Sequence, residues 1–229
     1  PTITCTPYLV GATPPPFTDA FLSESSVVAF ENSFLGVRTN REAGLSTLLY
    51  AIAGYGPRYG LHIQENRNPK ILIKVDAELS GAVDYSLLGY KMGELANGRI
   101  PYITGISKDP SIEEIKEMGA AGAASGSVDL FHIQGITPEA RYDMINLEGV
   151  EEKFQIDRKE LDELKDELNT GKDDEIDLVA IGCPHASINE VKEVALLLKG
   201  KRIKEGKQLW ITASRAVKEI AEKLGYLTI

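Results

Sequence analysis

The sequence predicts an α/β fold of mostly parallel sheets flanked by helices, and three features carry that prediction. Short apolar runs alternate along the chain with longer amphipathic stretches. Those runs are apolar rather than alternating apolar and polar, as strands covered by helices on both faces must be. The amphipathic stretches open on capping signals and close near glycine.

Taken in order, Ser23-Glu24-Ser25-Ser26 precedes Val27-Val28-Ala29-Phe30, which reads as a helix, and Leu35-Gly36 reads as a helix end. Arg38-Thr39-Asn40-Arg41-Glu42 then falls between two helices. Residues 60–67 are a polar cluster too dense for a simple strand, most simply a turn leading into the next element. Residues 70–75 and 100–104 read as strands, with a helix over 83–96 between them. Ser111 and Glu114 fit a capping box, and the helix they open is expected to close in the glycines of 119–126. A strand over 128–133 follows, then a helix start at Thr137-Pro138-Glu139 with proline in the first turn. The charged stretch from Asp157 carries only a thin stripe of Leu161, Leu164 and Leu168, which predicts a surface helix. Residues 171–174 read as a loop and 176–181 as a strand. Ser187 and Glu190 form another capping box for a helix ending at Gly200, and a strand at 209–212 and a helix over 214–224 repeat the unit.

The polar stretch 148–153 interrupts the pattern and predicts two α/β regions, residues 1–150 and 151–229. The chain opens Pro-Thr-Ile without methionine and reaches Tyr226-Leu227-Thr228-Ile229 as another strand seems due; truncation at both ends is the expectation. With 34 acidic against 25 basic residues the net charge is −9, which argues against a general nucleic-acid binder. No stretch of about 18 apolar residues suits a membrane span, and the cytoplasm is the expected compartment.

Cys5 and Cys183 are the two cysteines of the chain. Cys183 falls where the run 176–181 ends and a helix start follows, the place where open α/β sheets bind ligands. From the residues alone the pair is open to three readings: a disulfide, two buried small hydrophobes, or two ligands of a metal centre. His185, two residues beyond Cys183 in a loop, suits proton relay, whereas His132 inside an apolar strand reads as a core histidine. Ser25 and Ser26 at a helix start suit a carboxylate or phosphate, and Glu24 suits a substrate hydroxyl; a plain helix cap is the alternative. Two arginines flanking Asn40 suit bidentate recognition of a carboxylate, or else a solvated connection with Arg41 and Glu42 paired. The small residues 122–127 suit either a backbone cradle for a ligand or close helix–sheet packing.

Several motifs in consistent order resemble the large subunit of the aconitase X family. They are Cys5-Thr6-Pro7-Tyr8-Leu9, Ser23-Glu24-Ser25-Ser26, Asn32-Ser33, Gly36 through Arg38-Thr39-Asn40-Arg41-Glu42, and Tyr59-Gly60-Leu61-His62. Glu65-Asn66-Arg67, Phe131-His132, Thr137-Pro138-Glu139-Ala140 and Gly182-Cys183-Pro184-His185 complete the set. The resemblance implies an aconitase-like fold and an iron-dependent hydro-lyase. It implies an iron–sulfur cluster, most simply 4Fe–4S, with Cys5 and Cys183 as two ligands. The third cysteine of the family falls outside this chain. It further implies that Glu24 and Ser25 contact substrate, that Asn40 and Arg41 bind it, and that His185 relays a proton. The implied partners are a small swivelling subunit and a small anionic hydroxy acid. Two activities fit the family, dehydration of (R)-mevalonate 5-phosphate to trans-anhydromevalonate 5-phosphate in a modified mevalonate pathway, and dehydration of cis-3-hydroxy-L-proline. The Lys/Glu-rich surface favours the first. A non-catalytic partner-binding domain is the alternative of another class.

Overall fold

The computed structural model describes residues 4–171 and 175–227. Residues 14–169 form one compact unit, and residues 1–13 join 170–229 in a second. The expected seam near residue 150 is not where the chain divides, and the reason is a strand that the sequence hid.

The larger unit begins with α1 (Ser25–Phe30), which continues into a π-helical turn Glu31–Leu35 and ends on Gly36. After α2 (Gly44–Ala53) come β1 (Ile71–Asp76), α3 (Gly81–Ala96), β2 (Pro101–Thr104), α4 (Ile112–Gly126) and β3 (His132–Ile133). The unit closes with α5 (Pro138–Arg141), β4 (Glu152–Asp157) and α6 (Arg158–Leu168). Its four strands run parallel in the order β3-β2-β1-β4. Ile71, Ile73 and Val75 point one face of β1 into the core with Ile103 and Ile156, while Lys74 and Asp76 on the other pleat are exposed. β4 pairs with β1 over all six of its residues, Ile71 opposite Glu152 through Asp76 opposite Asp157. It is an edge strand of mostly polar residues whose Ile156 alone is fully buried, so hydrogen bonding to β1 rather than an apolar pattern defines it.

The capping signals translate directly into geometry. Ser111 Oγ accepts from the Glu114 amide at 3.2 Å while Glu114 Oε2 accepts from the Ser111 amide at 2.7 Å. Asp157 and Glu160 make the same reciprocal box for α6. The glycines of 119–126 form neither a loop nor a ligand cradle: they lie inside α4, which packs closely on α3. A Cβ on Gly126 would stand 1.7 Å from the Gly93 carbonyl oxygen, so the two helices approach at backbone contact. That approach converts the small-residue run into helix–helix packing. Val128, Leu130 and Phe131 are buried as the expected strand 128–133 implied, yet only His132–Ile133 joins the ladder.

The smaller unit carries a short 3₁₀ turn Pro7–Val10, then β5 (Leu178–Ile181), α7 (Ile188–Leu198), β6 (Gln208–Ile211) and α8 (Arg215–Lys223). β5 and β6 are parallel, with Leu178 opposite Gln208 and Ile181 opposite Ile211. Ala186, Val191, Val217 and Ala221 form its core, with Val10, Ile188, Ile211, Ala213 and Tyr226 packed around them. The Ser187–Glu190 capping box is present at the start of α7, and Ser214 caps α8. Residues 172–174 of the expected loop, and Thr228 and Ile229 of the expected last strand, lie outside the described residues.

Candidate functional site

The candidate residues fall into two groups, one in each unit. In the smaller unit, β5 ends at Ile181 and the chain turns through Gly182 at φ +103°. A Cβ there would lie 2.2 Å from the Thr212 carbonyl oxygen, so only glycine allows the loop to run so close to the end of β6. The Ala186 amide donates to that same carbonyl at 2.9 Å, fixing the far side of the loop. Cys183, exposed, and His185 ride on this loop at the carboxyl end of a parallel strand.

Cys5 comes to the same place from the other end of the sequence. Its half-buried Sγ accepts a hydrogen bond from the backbone amide of His185 at 3.2 Å, 180 residues away along the chain. The His185 ring is held in turn, with Nδ1 2.8 Å from Thr4 Oγ1, and Thr4 Oγ1 also receives the Thr6 amide at 3.1 Å. Both cysteines are thiols rather than halves of a disulfide, which removes that reading. An amide donor aimed at sulfur favours the thiolate, the form that binds metal.

Soft thiolates are the ligands iron–sulfur clusters take, and amide hydrogen bonds to their sulfurs are part of that environment. Cys5 with its amide donor, and Cys183 two residues before the donor, fit that chemistry. Among the described residues no group of three or more His, Cys, Asp or Glu is gathered for a metal ion, and the two thiols are the soft donors at this loop.

In the larger unit, Glu24 is the N-cap of α1. Its carboxylate accepts from the Ser26 amide at 3.0 Å, the Val27 amide at 2.9 Å and the Ser26 hydroxyl at 2.6 Å. The helix start that the sequence offered to an anion is therefore filled by the protein's own carboxylate. Ser25 is half-buried, its hydroxyl 3.5 Å from Glu24 Oε1.

Arg41 and Asn40 stand on a ribbon in which 17–22 runs beside 36–42. The Arg38 amide donates to Thr18 at 2.9 Å and the Glu42 amide to Leu22 at 2.9 Å. The Asn40 side chain is spent on backbone, accepting from the Leu61 amide at 2.8 Å and donating to the Tyr59 carbonyl at 3.2 Å. It clamps two loops together, whereas the sequence had offered it to substrate. Arg41 is partly exposed, its Nε 3.4 Å from Asp129 Oδ1, and no bond to Glu42 accompanies it. Glu42 instead accepts from the Tyr59 hydroxyl at 2.9 Å. Burial pushes the Asp129 carboxyl above its ordinary value, with Arg41 opposing.

Beneath this ribbon lies a network of motif residues for which no role was expected. Arg67 is fully buried, yet all five of its N–H donors are used. Nε bonds the Glu139 carboxylate at 2.8 and 3.0 Å. Nη1 donates to Asn32 Oδ1 and to the Leu61 carbonyl, both at 2.9 Å. Nη2 reaches the carbonyls of Asn32 at 3.2 Å and Val37 at 3.3 Å. His132, buried and with its pKa lowered by that burial, bonds the Arg67 carbonyl through Nε2 at 2.8 Å, as its reading as a core histidine implied. The signal in the sequence was an arginine beside an asparagine in a polar segment, which does not distinguish a surface turn from a buried hub.

Glu31 is buried with neither carboxylate oxygen hydrogen-bonded among the described residues, and burial raises its pKa from 4.5 to about 7. Its folded form therefore holds a proton more tightly than its unfolded form. The sign follows: stability is fully present below pH 4.5 and declines as pH climbs to about 7, then levels off. Glu31→Gln is expected to be more stable than the parent by roughly 2–3 kcal/mol at pH 8 and little different at pH 4.5. Urea melts at the two pH values check this, and equal gains at both would contradict it.

Parallel strands with helices packed on them, and two free thiols at the loop that follows one strand, define an α/β protein that presents soft sulfur at a strand end. Comparison with known proteins gives the family. The chain matches the Aconitase X first domain over residues 1–65, the second domain over 69–166 and the third over 176–229. It belongs to the aconitase X family. These limits, like the two structural units, differ from the expected regions 1–150 and 151–229.

The phosphomevalonate dehydratase large subunit of Thermococcus kodakarensis is 46% identical over 100% of this chain and 58% of its own length. The cis-3-hydroxy-L-proline dehydratase of Pseudomonas aeruginosa is 38% identical over 99% of this chain and 40% of its own. The crystal structure of Thermococcus kodakaraensis aconitase X in its holo-form superposes with a TM-score of 0.86 at 45% identity, covering 97% of this chain and 56% of that one. The chain thus spans little more than half the length of the large subunit it matches. No helix among the described residues is long and apolar enough to cross a membrane.

Proposed function

We propose that the chain is part of the large subunit of a phosphomevalonate dehydratase, a hydro-lyase that converts (R)-mevalonate 5-phosphate to trans-anhydromevalonate 5-phosphate. The observation that carries the hydro-lyase reading is the meeting of Cys5 with the Cys183 loop, where the His185 amide donates to Cys5 Sγ at 3.2 Å. The choice of substrate rests on similarity, 46% to a phosphomevalonate dehydratase large subunit against 38% to a hydroxyproline dehydratase.

In this reading Cys5 and Cys183 supply two of the thiolates of an iron–sulfur cluster, most simply 4Fe–4S. When bound, such a cluster supplies a Lewis-acidic iron that polarises the hydroxyl to be lost. The remaining work falls to the chain's own groups. The His185 amide steadies the Cys5 thiolate, and Thr4 fixes the orientation of the His185 ring, which relays a proton. Arg41, partly exposed on its ribbon, pairs with the anionic end of the substrate and places it for reaction. Glu24 and Ser25 line the substrate's position, Glu24 with its carboxylate held by α1 and therefore pre-set. A small swivelling subunit completes the enzyme in the cytoplasm, in a modified mevalonate pathway.

The test uses the full-length large chain purified anaerobically with its small subunit and supplied with iron and sulfide. NMR follows mevalonate 5-phosphate and cis-3-hydroxy-L-proline in parallel. Dehydration of the phosphate ester is the expected result. Turnover of the hydroxyproline alone would overturn the substrate, and turnover of neither in a cluster-loaded enzyme would overturn both.

A further inference from the structure

Asn32 lies in the buried floor beneath the ribbon that carries Arg41, and every hydrogen-bonding position of its side chain is used. Oδ1 accepts from Arg67 Nη1 at 2.9 Å and from the Thr39 amide at 3.1 Å. Nδ2 donates to the Thr39 carbonyl at 2.9 Å and to the Asp129 carbonyl at 2.9 Å. An amide has two acceptor sites and two donors, so this set is complete. One planar group thereby grips both ends of the Arg41–Asp129 pair: Thr39, two residues before Arg41, and the backbone of Asp129 itself. Arg67 decides which way the amide faces. A guanidinium can only donate, so the side-chain oxygen must point to it and the nitrogen must point to the two carbonyls.

We infer that Asn32 is a positioning residue for Arg41: with its amide oriented by Arg67, it fixes the separation of the Thr39 and Asp129 segments. It thereby holds the Arg41 guanidinium on Asp129 in the place where it meets an anion. The part of this that concerns substrate rests on the proposed role of Arg41; the positioning itself does not. The site needs such a device because Arg41 is tethered by a single 3.4 Å contact and is partly exposed, so its own side chain cannot hold it against rotamer freedom.

Asn32→Asp separates this role from bulk packing. The shape and both acceptor bonds survive, and the new charge faces Arg67, but the two donor bonds to Thr39 and Asp129 are lost. The measurement is the order parameter of individual arginine Nε–H groups by NMR relaxation in the full-length complex. The Arg41 value is expected to fall by at least about a third in the variant while Arg67 stays rigid. An unchanged Arg41 order parameter with Arg67 rigid would overturn the positioning. Should the variant fail to fold, the parent protein decides: both Asn32 Nδ2 protons are expected to be strongly protected, and rapid exchange of either would overturn the inference. Substrate affinity then tests the deeper reading through a double-mutant cycle. Asn32→Asp and Arg41→Met are each expected to raise KM, and the double variant to be no worse than Arg41→Met alone. Fully additive effects would overturn action through Arg41. If Arg41→Met leaves KM unchanged, it is the proposed substrate role of Arg41 that fails, and the order parameters still decide the positioning.

Discussion

Arg67→Met is expected to destabilise the 14–169 unit by about 3–5 kcal/mol, the loss that follows removal of one partner from a buried charge pair. The size comes from what is left behind. Glu139 is buried and would keep a carboxylate whose cation is gone. The carbonyls of Leu61, Asn32 and Val37 would each lose a charge-assisted donor in a place water reaches poorly. Against a typical domain stability of about 5–15 kcal/mol, that is enough to leave a marginal variant partly unfolded at room temperature. Urea unfolding followed by circular dichroism measures it, as a lower midpoint at unchanged slope. The double variant Arg67→Met with Glu139→Gln removes the stranded charge, and should recover part of the loss. Equal stability of Arg67→Met and the parent would mean the network contributes specificity rather than stability.

How much of this was legible in the sequence depends on whether local chemistry or distant contact made the decision. The Ser111–Glu114 and Ser187–Glu190 boxes were legible because a capping box lies within four residues and needs no tertiary partner. β1 was legible because Ile71, Ile73 and Val75 are apolar and buried. β4 was not, since an edge strand paired on one side shows only Phe154 and Ile156 against a polar background, and its identity comes from β1. The glycines of α4 were ambiguous for a physical reason: a small-residue run looks the same whether a phosphate or another helix approaches, and here α3 does. Cys5 and Cys183 were singled out from their local settings, and only the fold could show the Cys5 sulfur 3.2 Å from the backbone nitrogen of residue 185. Asn40 and Glu24 were chosen as substrate groups, and the structure places both against the protein's own backbone. Polar residues in a motif serve either purpose, and their backbone partners lie tens of residues away for Asn40 but next door for Glu24.

Cys5→Ser in the full-length complex is expected to lose iron and acid-labile sulfide, and with them turnover by at least about 100-fold, since losing even an outer-shell partner of a metal ligand costs 10–100-fold. A serine hydroxyl fits the space and still accepts the His185 amide, so the fold of the smaller unit should survive, its core of Ala186, Val191, Val217 and Ala221 being untouched. What changes is the donor atom: a hard neutral oxygen in place of a soft thiolate is a poor ligand for an iron–sulfur cluster. Cys183→Ser is expected to behave alike, because the proposed cluster takes both thiolates. His185→Ala separates the remaining roles. It removes the ring that Thr4 orients but keeps the backbone N–H that donates to Cys5 Sγ, so iron content should hold while turnover falls, by about 10²–10⁴-fold for a lost proton relay. Iron and sulfide measured on the three variants side by side decide the matter. A Cys5→Ser enzyme that keeps its full complement would show that this thiol is no ligand, and a His185→Ala enzyme that loses iron would move His185 from proton transfer to support of the cysteine site.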